Sequence, residues 1–448
     1  MSTVLTGKKR RSRLPPGIHE IGIDSLSHDG RGVGRMQNKA VFLHGALPGE
    51  RVRFEYIDTH RNYDEGRVLE ILQASSRRVK PLCAHFEQCG GCSLQHLAPA
   101  AQIEFKQNQL LEDCRRIGRV QPATVLPPLQ AEVWGYRHKA RLGAKYVEKK
   151  GRVLIGFREK RSSFISDIAR CEVLHPAIGG RIGLLEELVM SLSIRNAVPQ
   201  IEVAAGDNKQ VLVFRVLQEP SAEDRQRLSA FGRDQQLAIY LQPQGPDSIY
   251  PLFEIADDLY YYLPIETKDV RINFKPQDFT QVHPGVNRLI VQQALNELAL
   301  KPQERVLDLF CGLGNFTIPM ARRAAYATGI EGAVDMVARA GENARCNGAD
   351  NIEFHVADLF HPEPAAPWLR KHVDKVLLDP PRAGAQEVLP FVARMAPLRI
   401  VYISCNPSTL ARDAGILVHE YGYRFTRAGV MDMFPHTSHV ESMAVFDR

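Results

Sequence analysis

Long apolar runs are missing from this chain of 448 residues. No stretch approaches the roughly 18 uncharged apolar residues of a membrane helix, so a membrane-spanning class is not expected. Hydrophobic residues still make up 44% of the chain, enough for roughly two to four domains to bury separate cores. An apolar segment is also missing after the basic start MSTVLTGKKRRSR, which argues against a secretory signal and for a cytoplasmic protein. Internal repeats and low-complexity tracts are absent. Acidic residues are missing from 1–14, where five Lys and Arg sit, and scarce in 137–161, where ten basic residues meet only Glu148 and Glu159. The overall charge is only +6, so the remainder of the chain is net acidic. Clustering of this kind suits a phosphate backbone, because each neutralised phosphate releases counterions. A solvated tail accounts for the first cluster alone, and less easily for two.

Residues 15–73 read as short alternating strands, IHEIGIDSL, AVFLHGAL, RVRFEYI and EGRVLEIL, with a glycine-rich turn at 30–34 between the first two. A small OB-type barrel is the expected closure for strands so short. Residues 99–117 have helical periodicity, with Ile103, Leu110, Cys114 and Ile117 on one face. A mixed, β-rich central domain is expected over 74–270. From about 271 onward strands and helices alternate, predicting an α/β domain of Rossmann type with a parallel sheet and helices near 285–299 and 332–347.

The eight cysteines do not look like a disulfide scaffold. Cys83, Cys89 and Cys92 fall within ten residues, around Gly90-Gly91, and a metal site needs a fourth soft ligand. Cys114 lies on an apolar helix face and reads as core, whereas Cys171 sits in the polar segment SDIARCEVLHP and is the expected fourth ligand. The spacing differs from zinc pairs and favours a structural [4Fe–4S] cluster, without excluding zinc.

A third absence concerns the glycine loop that follows a buried strand, RVLDLFCGLGNF at 305–316. The third glycine of a dinucleotide fingerprint is replaced by Thr317, which weakens a nicotinamide reading. Glu331 ends the next strand, where a ribose can be held, and Asp358 ends the one after. Loop and acids together fit S-adenosylmethionine, although either acid alone could be a solvated strand end.

Three further segments bear reactive groups beside apolar runs: Asp379-Pro-Pro-Arg382, Ser404-Cys405-Asn406-Pro407, and His439-Val440-Glu441. A thiol flanked by two carboxylates suggests covalent catalysis with a separate proton transfer. With FTQVHPGVN at 279–287, these motifs resemble the RNA uracil-C5 methyltransferase family. The segments HDGRGVGR and VFLHGALPGERV resemble a TRAM domain. Barrel and cysteine cluster together are similar to the 23S ribosomal RNA type acting on the uridine customarily numbered 1939. The resemblance implies Cys405 as nucleophile and Glu441 as base, and because a free thiol is only a few per cent ionised near neutral pH a lowered Cys405 pKa is expected. It also implies Asp379 on the uracil edge, Gln281 between cofactor and base, and Phe310, Asn315, Glu331, Asp358 and Asp379 in the cofactor pocket. Phe279 would stack on a uridine flipped out of the RNA. No obligate protein partner is implied. Transfer RNA as substrate, or a non-catalytic RNA-binding assembly factor, are the competing readings.

Overall fold

The computed structural model describes residues 14–253, 257–266 and 268–448. The basic tail expected at 1–14 therefore lies, except for Leu14, outside the described residues. Backbone contacts divide the chain into two compact units. The first runs to Pro81 and takes in Cys92–Phe105 and His436–Ser438; the second holds the rest.

In the first unit six strands, β1 (His19–Gly22), β2 (Ser25–Leu26), β3 (Gly32–Met36), β4 (Lys39–His44), β5 (Arg51–Thr59) and β6 (Tyr63–Gln73), pair in the order β1-β5-β6-β4-β3-β2. Period-two alternation turns Ile21, Val41, Leu43, Val52 and Phe54 inward to one small core. The predicted glycine turn is itself mostly strand, because β3 begins at Gly32. A Cβ on Gly34 would stand 2.4 Å from the Gly22 carbonyl oxygen, and one on Gly32 would stand 2.8 Å from Ala46 Cβ. These glycines admit a neighbouring chain at close range rather than reversing the backbone.

Helix α1 (Pro99–Asp113) continues as a π-turn over Cys114–Gly118, close to the predicted 99–117. Ile103, Leu110 and Cys114 are buried as expected, but Ile117 is 48% exposed. The wider π-turn rotates it off the apolar stripe.

In the second unit, after β7 (Thr124–Val125), come β8 (Lys139–Val147), β9 (Arg152–Gly156), β10 (Gln200–Ala205), β11 (Gln210–Arg215), β12 (Ala238–Gln242) and β13 (Tyr250–Pro251). The last six form a mixed sheet ordered β13-β12-β11-β10-β8-β9. Helices α2 (Pro176–Gly179), α3 (Ile182–Ser191) and α4 (Ala222–Gln235) accompany it, and Leu185, Leu188, Val189 and Leu228 share its core. A hairpin, β14 (Leu259–Leu263) and β15 (Val270–Phe274), leads into α5 (Pro284–Leu298).

The last region contains β16 (Arg305–Leu309), α6 (Thr317–Ala321), β17 (Tyr326–Glu331), α7 (Val334–Cys346), β18 (Ile352–Val356), β19 (Lys375–Leu378), α8 (Leu389–Met395), β20 (Arg399–Ser404), α9 (Pro407–His419), β21 (Arg424–Met431) and β22 (Glu441–Asp447). The sheet order is β18-β17-β16-β19-β20-β22-β21-β7. Strands β16 to β20 are parallel, as predicted, whereas β22 is antiparallel to both neighbours. Glu441 thus opens a strand instead of closing an apolar run, and the reversed direction brings it to the edge where the parallel strands end. Gly118, at the end of the π-turn, abuts α9 so closely that a Cβ would stand 2.2 Å from the Ala411 carbonyl oxygen.

Gly34→Ala is expected to destabilise the protein by about 1–3 kcal/mol, through overpacking against backbone. Gly22→Ala, where nothing lies within 4 Å of an added Cβ, should stay within about 0.5 kcal/mol. Thermal unfolding of the two variants checks the contrast.

Candidate active site

A cleft of about 1030 Å³ opens at the carboxyl edge of the parallel strands. Phe279, Gln281, Phe310, Asn315, Glu331, Asp358, Asp379, Cys405 and Glu441, all named from sequence, line this one cleft. Its shape follows from strand order, since crevices form outside the carboxyl ends of parallel strands.

The reactive end depends on register. In the β20–β22 ladder Ser404 stands opposite Ser442. One step further along, Cys405 leaves β20 where Glu441 enters β22. Asn406 caps α9, its side-chain oxygen accepting from the Ser408 N–H at 3.1 Å, which turns the chain sharply after Cys405. The neighbouring parallel strand β19 delivers Asp379, whose N–H donates to the Leu309 carbonyl at 3.2 Å. Phe310 follows β16 with φ 66°, a left-handed conformation costly for a bulky residue and common at functional sites.

Burial dominates the electrostatics. It pushes the Asp379 carboxyl up to about 7. Glu441 is pushed up to about 8, by burial first and then by Asp379, against the pull of Arg382 and Lys106. Burial and the same two carboxylates push the Cys405 thiol up to about 11, with Arg382 opposing. The expected lowering of the thiol pKa is therefore not met in the unliganded protein, since desolvation and two nearby carboxylates both disfavour a thiolate.

The other end of the cleft is held by side chains that bond one another. Glu331 Oε1 accepts from the Gly332 and Ala333 N–H groups at 2.8 and 3.1 Å, and Oε2 accepts from Gly312 N–H at 3.2 Å. The Asn315 amide exchanges hydrogen bonds with Asn287 at 3.0 and 3.1 Å, and Tyr261 Oη donates to Asn315 Oδ1 at 2.9 Å. Asp358 is exposed, and His361 beside it holds its carboxyl below the usual range. Phe279 is 70% exposed at the rim.

Sequence reasoning missed Tyr261, which belongs to the hairpin and bears no motif. It also missed Lys106 and Asp432, a pair 2.6 Å apart with side chains 0% and 3% exposed. The signal was present: Ile103, Lys106, Leu110 and Cys114 are spaced three, four and four, so a lysine stands inside an apolar stripe. The basic segment 137–161 is partly internal, because Lys139 donates to the Asp278 carbonyl at 2.9 Å and burial pushes its pKa down to about 8. Lys150 pairs with Asp167 at 2.9 Å, while Arg158 and Arg161 remain exposed.

Among the described residues no three His, Cys, Asp or Glu side chains form a preformed metal cage. Cys83, Cys89 and Cys171 nevertheless act on one another electrostatically, and burial with the other two thiols pushes Cys171 up to about 11. Their sulfurs meet backbone donors: Val173 and Leu174 at Cys171, His85 at Cys83, and Gly91 N–H at 3.4 Å from Cys89 Sγ. Cys92, three positions beyond Cys89, is buried.

A methyltransferase domain family matches residues 300–410, and a TRAM domain family matches 18–69. A protein of Methylococcus capsulatus named 23S rRNA (uracil(1939)-C(5))-methyltransferase RlmD is 55% identical over 98% of this chain and 99% of its own length. Its namesake in Alkalilimnicola ehrlichii is 53% identical with the same coverage. The chain belongs to this 23S rRNA (uracil-C5)-methyltransferase family. Among solved structures, the Pyrococcus abyssi tRNA (uracil-54, C5)-methyltransferase in complex with S-adenosyl-L-homocysteine aligns with TM-score 0.74 at 25% identity, over 96% of this chain and all of that one.

Buried carboxyls also give a pH signature. Asp308 is pushed up to about 8 by burial, joining Asp379 and Glu441. Each binds a proton in the folded state that the unfolded chain has released, so each contributes stability that is lost as pH rises through its folded pKa. Below about 6.5 the buried histidines, His138 at about 4 among them, work in the opposite direction. Between pH 6.5 and 8 the unliganded protein should therefore lose stability as pH rises, by at most about 1.4 kcal/mol per pH unit per group. Asp308→Asn, a neutral isostere, should flatten that slope in thermal unfolding series.

Proposed function

We propose that this methyltransferase forms 5-methyluridine in 23S ribosomal RNA, at uridine 1939, using Cys405 as nucleophile and Glu441 as general base. The observation that carries the reading is the register that makes Cys405 and Glu441 neighbours beyond the Ser404–Ser442 pair, on a cleft that Asp379 also lines.

Carbon 5 of uracil is too poor a nucleophile to take a methyl group unaided. Addition of the Cys405 sulfur to carbon 6 breaks the 5,6 double bond and moves its electron pair into an enolate, which makes carbon 5 nucleophilic. S-adenosylmethionine, when bound, would supply the electrophilic methyl group: carbon 5 takes the methyl as the methyl–sulfonium bond breaks, and the sulfur keeps that electron pair and leaves as a neutral thioether. Glu441 then removes the carbon-5 proton, the C–H pair restores the double bond, and the carbon–sulfur bond breaks to return the Cys405 thiolate. Arg382 is the cation that favours thiolate. Burial raises the Asp379 pKa, and in its protonated form the carboxyl can both donate to and accept from the uracil edge. Gln281, which lines the same cleft, would lie between cofactor and base. Glu331 is suited to ribose hydroxyls, Asp358 to the adenine amino group, and Phe310 and Asn315 to the walls around them.

The target carbon is closed off within a stacked helix, so the uridine must be flipped out, and exposed Phe279 is suited to stack on it. The TRAM segment, closing as an OB-like barrel, and the exposed Arg158 and Arg161 would hold RNA phosphates. Cys83, Cys89, Cys92 and Cys171 would hold a structural [4Fe–4S] cluster; backbone donors at the sulfurs are the environment such clusters use. Such an enzyme works on ribosomal RNA in the cytoplasm.

Cys405→Ala should abolish methyl transfer while RNA binding persists, read with labelled cofactor and filter binding; residual turnover within tenfold of wild type would remove the nucleophile assignment. Glu441→Gln should slow elimination by on the order of 10²–10⁴ and accumulate a denaturation-resistant protein–RNA adduct. Anaerobically purified protein should be brown, and Cys171→Ser should lower its iron content; a colourless zinc protein would refute the cluster.

A further inference from the structure

The buried pair beneath the reactive end has no part in the steps above. Lys106 lies on α1, inside the apolar stripe, and its side chain is 0% exposed. Its ammonium donates to Asp432 Oδ1 at 2.6 Å and to the Phe434 carbonyl at 2.9 Å. Asp432 directly follows β21, the strand that pairs Met431 with Glu441. Phe434 lines the catalytic cleft. Two charges are thus taken out of water at a cost of several kcal/mol per ion before pairing, beside the residue assigned as base. A buried ion pair is weak ground for stability, since apolar residues of similar size serve as well or better. Its placement calls for another account.

Glu441 faces a conflict. It must be ionised to accept the carbon-5 proton, yet burial and Asp379 favour its neutral form. The charged and titratable groups acting on it are Asp379 and Arg382 from the loop after β19, Cys405 directly after the end of β20, and Lys106 from α1. Arg382 and Lys106 are the two cations, and Arg382 serves the thiol as well. Lys106 is the one fixed by an anion of its own: burial pushes its pKa down, and Asp432 and Glu441 oppose that shift.

We propose that Lys106, anchored by Asp432 and the Phe434 carbonyl, is a positioning residue that raises the fraction of Glu441 able to accept the carbon-5 proton and so speeds the elimination step. The inference rests on the base assignment made above. It requires no new chemistry: the proton still passes from carbon 5 to Glu441, and Lys106 alters only the fraction of Glu441 ready to receive it.

The test is single-turnover kinetics on unmethylated 23S RNA with S-adenosylmethionine, following methyl transfer and adduct breakdown separately from pH 6 to 9.5. Lys106→Gln keeps a donor for Asp432 and Phe434 without the charge. Lys106→Met with Asp432→Asn removes both charges together and stands in should the single variant fail to fold. Loss of the ammonium should move the midpoint of the elimination profile up by about one pH unit, slowing adduct breakdown about tenfold at pH 7. Methyl transfer should stay within about threefold, the elimination rates should differ only about twofold by pH 9, and Lys106→Arg should restore the wild-type midpoint. An unchanged midpoint would overturn the proposal. So would an equal loss in both steps at every pH, the mark of a merely structural role. Glu441→Gln separates the two levels of argument: if it releases product normally, the base assignment itself is wrong. If it traps adduct while the Lys106 variants keep the wild-type profile, only the role of Lys106 falls.

Discussion

The pairing of β20 with β22 is the constraint on which the site depends. Parallel strands alone deliver side chains from one direction, and each new catalytic group must come from another βα turn. An antiparallel strand reverses this. Because β22 runs against β20 with Ser404 opposite Ser442, the residue that leaves one strand meets the residue that enters the other. A thiol and a carboxylate separated by 36 positions in sequence become neighbours through a backbone ladder, which is stiffer than any loop. Met431 opposite Glu441 on β21 closes the frame from the far side.

That frame places carboxyls where water is scarce. Desolvation raises Asp379 and Glu441 together, and each raises the thiol in turn. Both carboxyls are thus drawn towards their neutral forms, since a buried anion costs several kcal/mol. Neutrality suits the approach of an uncharged uracil but opposes both chemical tasks, since attack needs a thiolate and elimination needs a carboxylate. Cations must therefore be close at hand. Arg382 acts on both groups from the Asp379 loop, and Lys106 acts on Glu441 from a helix almost two hundred residues before β16.

Much of this was legible in sequence, for identifiable reasons. The strands β16 to β20 were readable because buried parallel strands are short continuous apolar runs, and each site residue at their ends could be named from its run. β3 was misread because glycine was taken as a sign of a turn, whereas Gly34 meets the Gly22 carbonyl in a crowded sheet. The sense of β22 was not readable, as pairing direction leaves no mark on an apolar run. The lowered thiol pKa was expected from what the reaction needs and not from the surroundings, which only the fold defines.

Lys106 shows why a charged residue in an apolar stripe carries information. Periodicity assigns position 106 to the buried face as firmly as positions 103 and 110, and a lysine there must either snorkel, neutralise or find an anion. The fold supplies Asp432 at 2.6 Å, and that strand end leads directly to the turn before Glu441. A core that needed only packing would hold leucine at that place. A lysine whose counterion directly follows the strand next to the base indicates that charge, and not volume, is what the position must provide.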